Sequence, residues 1–288
     1  MCYQQRKFLP LIIQWNLRSF SARNLQVIKL IDECHPLIIC VSEVWGLKSE
    51  NIHIAHYHSI LNDYNVGNKG VGIFVHESVP FQQIQFNSTH DLFSKYNVEV
   101  VGIKIQLNNL LYNIISLYIP SHYTSQQIQS SHLNSLISGF QHPFIITGDF
   151  NCHNTLWGDH RIDTLGKTVE DWMDYNNLTV INYGAPTHVP PNGNNMSSID
   201  LTLISDNQCF EFVWEIDFDL RTSDHFPCFI TLTSSQKFPK LIKQKTIRKW
   251  SVKRADWMKY NSVLDLKFSA KEYQNQYTVQ YEKFVDII

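Results

Sequence analysis

No Cys-x-x-Cys pair occurs in the 288 residues; Cys2, Cys34, Cys40, Cys152, Cys209 and Cys228 are scattered along the chain. That spacing excludes a zinc knuckle and gives no disulfide framework, so a reducing compartment is expected. No apolar run approaches the length of a membrane span, and the stretch from Phe8 to Ile13 is broken by Pro10. Neither a transmembrane helix nor a secretory leader is indicated. The expectation is a soluble intracellular protein with no membrane partner, in which the Asn-x-Ser/Thr sequences at Asn87, Asn177 and Asn195 are coincidental. Internal repeats and low-complexity segments are also missing.

What the chain does have is apolar and aromatic material, 43% hydrophobic and 13% aromatic, enough for a substantial core. Its net charge of −2 conceals an asymmetry: residues 1–236 hold 12 Lys and Arg against 21 Asp and Glu, whereas 237–288 hold 12 against 5. From Lys237 to Lys259 there are nine basic residues and one acid, Asp256. A catalytic domain over 1–235 followed by a basic connector over 236–288 is expected. Such a run is either a solvated linker, its commoner meaning, or a contact for nucleic-acid phosphates. The acidic body lacks the cationic surplus of a general polyanion binder.

Gly148-Asp149-Phe150-Asn151 follows the apolar run Phe144 to Thr147. If that run is a buried strand, Asp149 and Asn151 emerge on one side of its C-terminal rim, with Gly148 giving freedom to turn. An ordinary polar turn is the competing reading. The pattern recurs elsewhere. Leu11 to Trp15 leads into Asn16, Leu37 to Val41 into Ser42-Glu43, and residues 111–117 into Tyr118-Ile119-Pro120. Lys69 to Val75 and Val98 to Leu107 read as antiparallel strands, and the runs ending at Ile181, Ile204, Ile216 and Leu232 read as strands too. A helix capped by Ser21 or Asn24 is expected to bury Leu25, Ile28, Ile31 and Cys34 before Pro36 stops it. Two further helices are expected, one over 125–140 with Ile128, Leu133, Leu136 and Ile137 inward, one over 165–177 with Leu165, Val169, Trp172 and Met173 inward. Strands outnumber helices, but helices lie between several of them, which predicts an α+β domain of two packed sheets with helices outside.

Candidate functional groups thus collect at strand and loop ends: Asn16, Glu43, Tyr118, Asp149 with Asn151, and Asp224 with His225, supported by Asp200. Hard oxygen ligands without clustered Cys or His point to Mg²⁺ rather than zinc, with Mn²⁺ as a substitute. Phosphodiester hydrolysis needs an aligned water, a cation on the anionic oxygens and help for the leaving oxygen, and this set contains all three.

In order, Trp15-Asn16, Ser42-Glu43, Tyr118-Ile119-Pro120, Gly148-Asp149-Phe150-Asn151, Ser198-Ile199-Asp200 and Ser223-Asp224-His225 resemble the endonuclease/exonuclease/phosphatase superfamily over about residues 9–232. Asn151-Cys152-His153 with Leu156-Trp157-Gly158, and Asn182 through His188, look like the endonuclease domain of non-LTR retrotransposons. The resemblance implies a four-layer α/β/β/α sandwich, deoxyribonuclease-I-like, with its site at the mouth between the sheets. It also implies an Mg²⁺-dependent enzyme that nicks double-stranded DNA in the nucleus and leaves a 3′-hydroxyl to prime reverse transcription. Lys249 to Trp257 resembles the connector to a reverse transcriptase domain. By the same resemblance Glu43, Asn16 and Asp224 are metal positions, Asp149 handles the attacking water, and Asn151, Tyr118 and His225, held by Asp200, contact the phosphate. Ser42 departs from the Gln that many relatives place before the metal Glu. His153, Trp157 and Arg161 are placed to meet DNA, with core packing an equal reading for Trp157. The loops at Asp63 to Asn68 and Pro190 to Asn195 are candidates for target reading. An abasic-site endonuclease, a phosphatase of the same fold and a catalytically dead DNA-binding domain are the competing functions.

Overall fold

A computed structural model describes residues 10–45, 52–62, 70–86, 91–191, 193 and 195–233. All fall in the N-terminal unit Met1–Gln236. The expected connector over 236–288 and the Asp63 to Asn68 turn lie outside the described residues. Strands β1 (Ile12–Asn16), β2 (Ile38–Ser42), β3 (Tyr57–Leu61), β4 (Val71–His76), β11 (Phe212–Ile216) and β12 (Cys228–Leu232) form one sheet in the order β11-β12-β1-β2-β4-β3. Strands β5 (Phe81–Ile84), β6 (Glu99–Leu107), β7 (Leu110–Tyr118), β8 (Phe144–Asp149), β9 (Leu178–Val180) and β10 (Asp200–Ser205) form the other, in the order β5-β6-β7-β8-β10-β9. Both are mixed, since β1 runs parallel to β2 and β7 parallel to β8 while the remaining pairs are antiparallel.

Side-chain alternation sorts each strand between two cores. In β1, Ile13 and Trp15 join the apolar cluster under helix α1 (Phe20–Cys34), which leaves Ile12, Gln14 and Asn16 buried on the opposite face. In β8, Phe144 and Ile146 pack with α3 (Ser130–Ile137) and α4 (Thr164–Tyr175), while Ile145, Thr147 and Asp149 turn inward. The sheets meet face to face through β1, β2 and β4 against β6, β7 and β8. The four-layer sandwich of helix, sheet, sheet and helix is therefore the observed fold. A short helix α2 (Asp91–Ser94) completes the described α-helices, and among the described residues no helix is long and apolar enough to cross a membrane.

Two helices differ in detail from expectation. α1 begins at Phe20, with Ser19 Oγ accepting from Ala22 N, and buries Phe20, Val27, Leu30 and Cys34. Leu25 is 79% exposed and Ile28 36%. Its sequence carries apolar residues on two faces, and the first turn is oriented from outside, because Ser19 N donates to Glu43 O and Phe20 N to Val44 O. The helix expected over 125–140 is divided into a 3-10 turn, Tyr123–Gln127, and α3, yet Ile128, Leu133, Leu136 and Ile137 are all buried as read. Edge strands β3 and β5 are not among the expected strands: both are short, β3 has exposed or half-buried residues beside its buried Tyr57 and Ile60, and β5 buries only Ile84.

Urea denaturation should separate the two faces of α1. Leu30→Ala is expected to cost about 2–5 kcal/mol, and Leu25→Ala to stay within about 0.5 kcal/mol. Equal costs would contradict the observed rotation.

Candidate functional site

Sheet register delivers the polar side chains to one mouth. Tyr118 lies opposite Asp149 on β8, and Asp149 opposite Asp200 at the start of the antiparallel β10. Asn16 ends β1 beside Ser42 of β2. These four side chains occupy inward positions of the alternation, so they converge between the sheets where the apolar filling stops. Gly148, at φ +152°, is required just before Asp149, because a Cβ there would overlap the Leu117 carbonyl.

Asn16 is fully buried and its Nδ2 donates to Asp149 Oδ2 (2.9 Å) and Glu43 Oε1 (3.1 Å), while its Oδ1 accepts from Arg18 N (3.1 Å). The amide thus presents nitrogen, not oxygen, to the two acids. Asn16 bridges the two carboxylates. Glu43 follows β2 in the left-handed region, φ +54°, which brings its carboxylate back over the site. Tyr118 Oη donates to Glu43 Oε1 (3.2 Å) and Trp45 Nε1 to Oε2 (3.2 Å). Asn151, also left-handed at φ +47°, donates its backbone N–H to Asp149 Oδ1 (3.0 Å) and its Nδ2 to Ile119 O (3.0 Å).

Across the mouth, His225 Nδ1 meets Asp200 Oδ2 at 2.7 Å, both side chains being buried. Gln14 Nε2 donates to the other Asp200 oxygen (2.9 Å), and Trp15 Nε1 donates to His225 O (2.9 Å). His225 Nε2 stands 3.9 Å from Asp149 Oδ2. Asp224 pairs with Arg18 (2.6 Å) and has His188 Nε2 at 3.8 Å. The His188 ring lies 4.7 Å from the His225 ring.

The lead-in to β10 is held by the segment from Asn182 to His188. Asn182 Nδ2 donates to Asp200 O while its Oδ1 accepts from Thr202 N, and Thr187 Oγ1 accepts from Ile199 N and Asp200 N. The sequence pattern assigns no role to the side chains of this segment, nor to those of Gln14, Arg18 and Asp159. For Gln14 a signal existed, since it lies two residues before Asn16 on the same strand face.

Burial together with the Asp200 charge raises the Asp149 carboxyl well above the usual range, against the opposing pull of His225 and Asn16. His225 moves up as well, to about 9: burial alone would lower it, and the Asp200 charge and hydrogen bond outweigh that. Asp224 is brought down to about 2, because His188, His225 and Arg18 overcome its burial. Burial, with Glu43 and Asp149 nearby, raises the Tyr118 phenol and keeps it a neutral donor.

A cleft of about 460 Å³ opens over these groups, bordered by Arg18, His153, His160, Arg161 and His188. His153 and Arg161 stand at its edge as expected. Trp157 does not: it is fully buried in the core with α4, so of its two readings packing is the one its position supports. The adjacent Gly158 is pressed so closely on Gly184 that a Cβ would overlap the latter's Cα. Pro190 and Asn195 of the expected target-reading loop border the cleft, and two residues between them lie outside the described residues. Asp149, Asp200 and His225 each bring a ligand atom within 4.8 Å of the others and could hold a metal ion. Asp200 and His225 are already engaged with each other, however.

Residues 112–229 match the family model described as Endonuclease-reverse transcriptase. The chain is 24% identical over 251 residues to the probable RNA-directed DNA polymerase from transposon BS of Drosophila melanogaster, an alignment covering 82% of this chain and 26% of that protein. It therefore spans about a quarter of that relative's length. Its fold is similar to the endonuclease domain of TRAS1, a telomere-specific non-LTR retrotransposon, with TM-score 0.62 and 16% identity over 77% of this chain and 96% of the other. An AP endonuclease from Archaeoglobus fulgidus matches at TM-score 0.62 and 16% identity, over 77% of this chain and 99% of the other. The deoxyribonuclease-I-like fold and the resemblance to a retrotransposon endonuclease domain are both borne out.

The raised His225 makes stability depend on pH. With a folded value of about 9 against an ordinary 6.5, its contribution is fully present below pH 6.5 and is lost as pH rises through about 9. The raised Asp149 carboxyl acts in the same direction. The Tm of the metal-free protein is expected to fall between pH 6.5 and 9, less steeply in Asp200→Asn; a flat profile would contradict the assignment.

Proposed function

We propose that this chain is the endonuclease portion of a retroelement polyprotein, nicking one strand of double-stranded DNA to leave a 3′-hydroxyl from which a linked reverse transcriptase domain extends. The observation that carries this reading is Asp149, a buried carboxylate of raised basicity, set between two amides and facing an imidazole that Asp200 holds. Work on chromosomal DNA would place the protein in the nucleus after cytoplasmic synthesis.

Asp149 takes a proton from water as the water oxygen attacks phosphorus, with Asn16 and the Asn151 N–H keeping the carboxylate aimed. His225, charged by virtue of Asp200, donates from Nε2 to a non-bridging phosphate oxygen and neutralises charge that grows there. Tyr118, a neutral phenol, donates a hydrogen bond on the side where the bond from phosphorus to the 3′ oxygen breaks. The departing oxygen collects a proton and becomes the 3′-hydroxyl, leaving a 5′-phosphate.

The donor set fits Mg²⁺, with Mn²⁺ a substitute. Glu43 accepts two hydrogen bonds on Oε1 and one on Oε2 among the described residues, so Oε2 keeps a lone pair. Among the described residues, Asp224 Oδ1 is a buried oxygen without a hydrogen-bond partner. Both are hard oxygen donors and both border the same cleft. A bound divalent cation supplies positive charge to the phosphate oxygens and eases the gathering of acids at one point.

Relaxation of supercoiled plasmid tests the proposal. Nicking should require Mg²⁺ or Mn²⁺, stop in EDTA, and fall by about 10²–10⁴-fold in Asp149→Ala and His225→Ala. Glu43→Gln should raise the metal concentration needed for half-maximal rate. The nicked product should be extended by a DNA polymerase without further treatment. Activity confined to abasic duplex would move the function to repair, activity confined to a soluble inositol phosphate would make it a phosphatase, and binding without cleavage would leave a targeting domain.

A further inference from the structure

Asp159 takes no part in the chemistry above, yet its side chain is wholly buried beside the cleft and receives three hydrogen bonds. Oδ1 accepts from His160 N (2.7 Å), and the His160 ring Nδ1 stands 2.9 Å from the same oxygen. Oδ2 accepts from His153 Nδ1 (2.9 Å) and Ser198 N (3.1 Å). The carboxylate is thus held from both oxygens. Ser198 lies two residues before Asp200, and through it the edge of the cleft is tied to the strand that carries Asp200.

The far nitrogen of His153 completes a chain. Arg161 Nη2 stands 2.7 Å from His153 Nε2. A guanidinium can only donate, so Nε2 accepts and the ring proton sits on Nδ1, directed at Asp159. Carboxylate, neutral imidazole and guanidinium are thereby joined in line. Among the described residues Arg161 has no carboxylate partner, so its charge is oriented without being neutralised. His160, its Nδ1 close to Asp159 and its ring half-exposed, borders the same cleft. In a body with few cations, an oriented and uncompensated guanidinium beside an acidic floor suits a phosphate whose two non-bridging oxygens it takes bidentately.

We propose that Arg161, with His160 beside it, binds a backbone phosphate flanking the scissile one on the DNA, and that Asp159 and His153 are positioning residues holding the guanidinium toward the cleft. This deepens and rests on the nuclease reading. Of the residues expected at the DNA, it separates the two that border the cleft: Arg161 is the contact, and His153 acts through it.

The test is duplex binding by the full chain in EDTA, followed by fluorescence anisotropy across a KCl series, with steady-state nicking in Mg²⁺ alongside. Arg161→Gln, a change on the exposed surface, should weaken binding about tenfold and lower the salt slope by about 0.9, the share of one phosphate. KM should rise while kcat holds. Asp159→Asn and His153→Phe should weaken binding and lower the slope likewise. For Asp159→Asn the sign is decisive: deleting a negative charge near DNA would by itself tighten binding. Tighter binding in Asp159→Asn, or an unchanged slope and KM in Arg161→Gln, overturns the subsite while wild-type nicking leaves the nuclease reading intact. A wild type that neither binds nor nicks duplex overturns both.

Discussion

The buried hydrogen bond between Asp200 and His225 is what the arrangement of the site depends on. It joins the sheet carrying β8 and β10 to the loop entering β12 in the other sheet. Two buried ionisable groups are tolerable only when paired and otherwise satisfied, and breaking such a pair costs about 3–5 kcal/mol because the survivor is left uncompensated. Gln14 takes the second Asp200 oxygen, Thr187 binds the Asp200 N–H, and Trp15 takes the His225 carbonyl. The same residues that satisfy the pair also set its height above Asp149. Structural and chemical roles are hard to separate in Asp200 for that reason.

Around this pair the candidate site groups come from the strand ends of the two sheets. Glu43 and Asn151 both occupy the left-handed region one or two residues past a strand, where the chain must turn sharply while keeping its side chain over the site. Their geometry is held by neighbours: Ser19 N on the Glu43 carbonyl, Asp149 Oδ1 on the Asn151 N–H. The charge pattern follows a similar division. Acids sit on the floor, where a phosphate and a cation would compensate one another, and cationic side chains border the opening. Arg18 is partly neutralised by Asp224, whereas Arg161 is held by an imidazole.

Much of the fold was legible because long apolar runs with polar ends mark buried strands directly, as at Ile38 to Ser42 and Phe144 to Asp149. The two-residue alternation that puts Ile13 and Trp15 on one face and Asn16 on the other is a property of the strand itself. Edge strands β3 and β5 were less visible, since a half-exposed strand of four or five residues carries little periodic signal. In α1, Leu25 and Leu30 both satisfy helical spacing, and the choice between their faces was made by the carbonyls of Glu43 and Val44. Trp157 shows the same limit: its neighbours in sequence suggest a surface loop, but the Gly158 and Gly184 contact folds that loop inward.

From sequence alone came the ordered set of strand-end residues, Asn16, Glu43, Tyr118, Asp149, Asn151, Asp200, Asp224 and His225, because local pattern decides where a strand stops and what its last side chain is. Tertiary structure alone decided which of them touch. That Asn16 bridges two acids through nitrogen, that His225 is held above its ordinary pKa, and that Asp159 steers Arg161 through His153 all depend on distances between residues far apart in the chain. Spacing along the sequence carries no information about those distances until the sheets are packed.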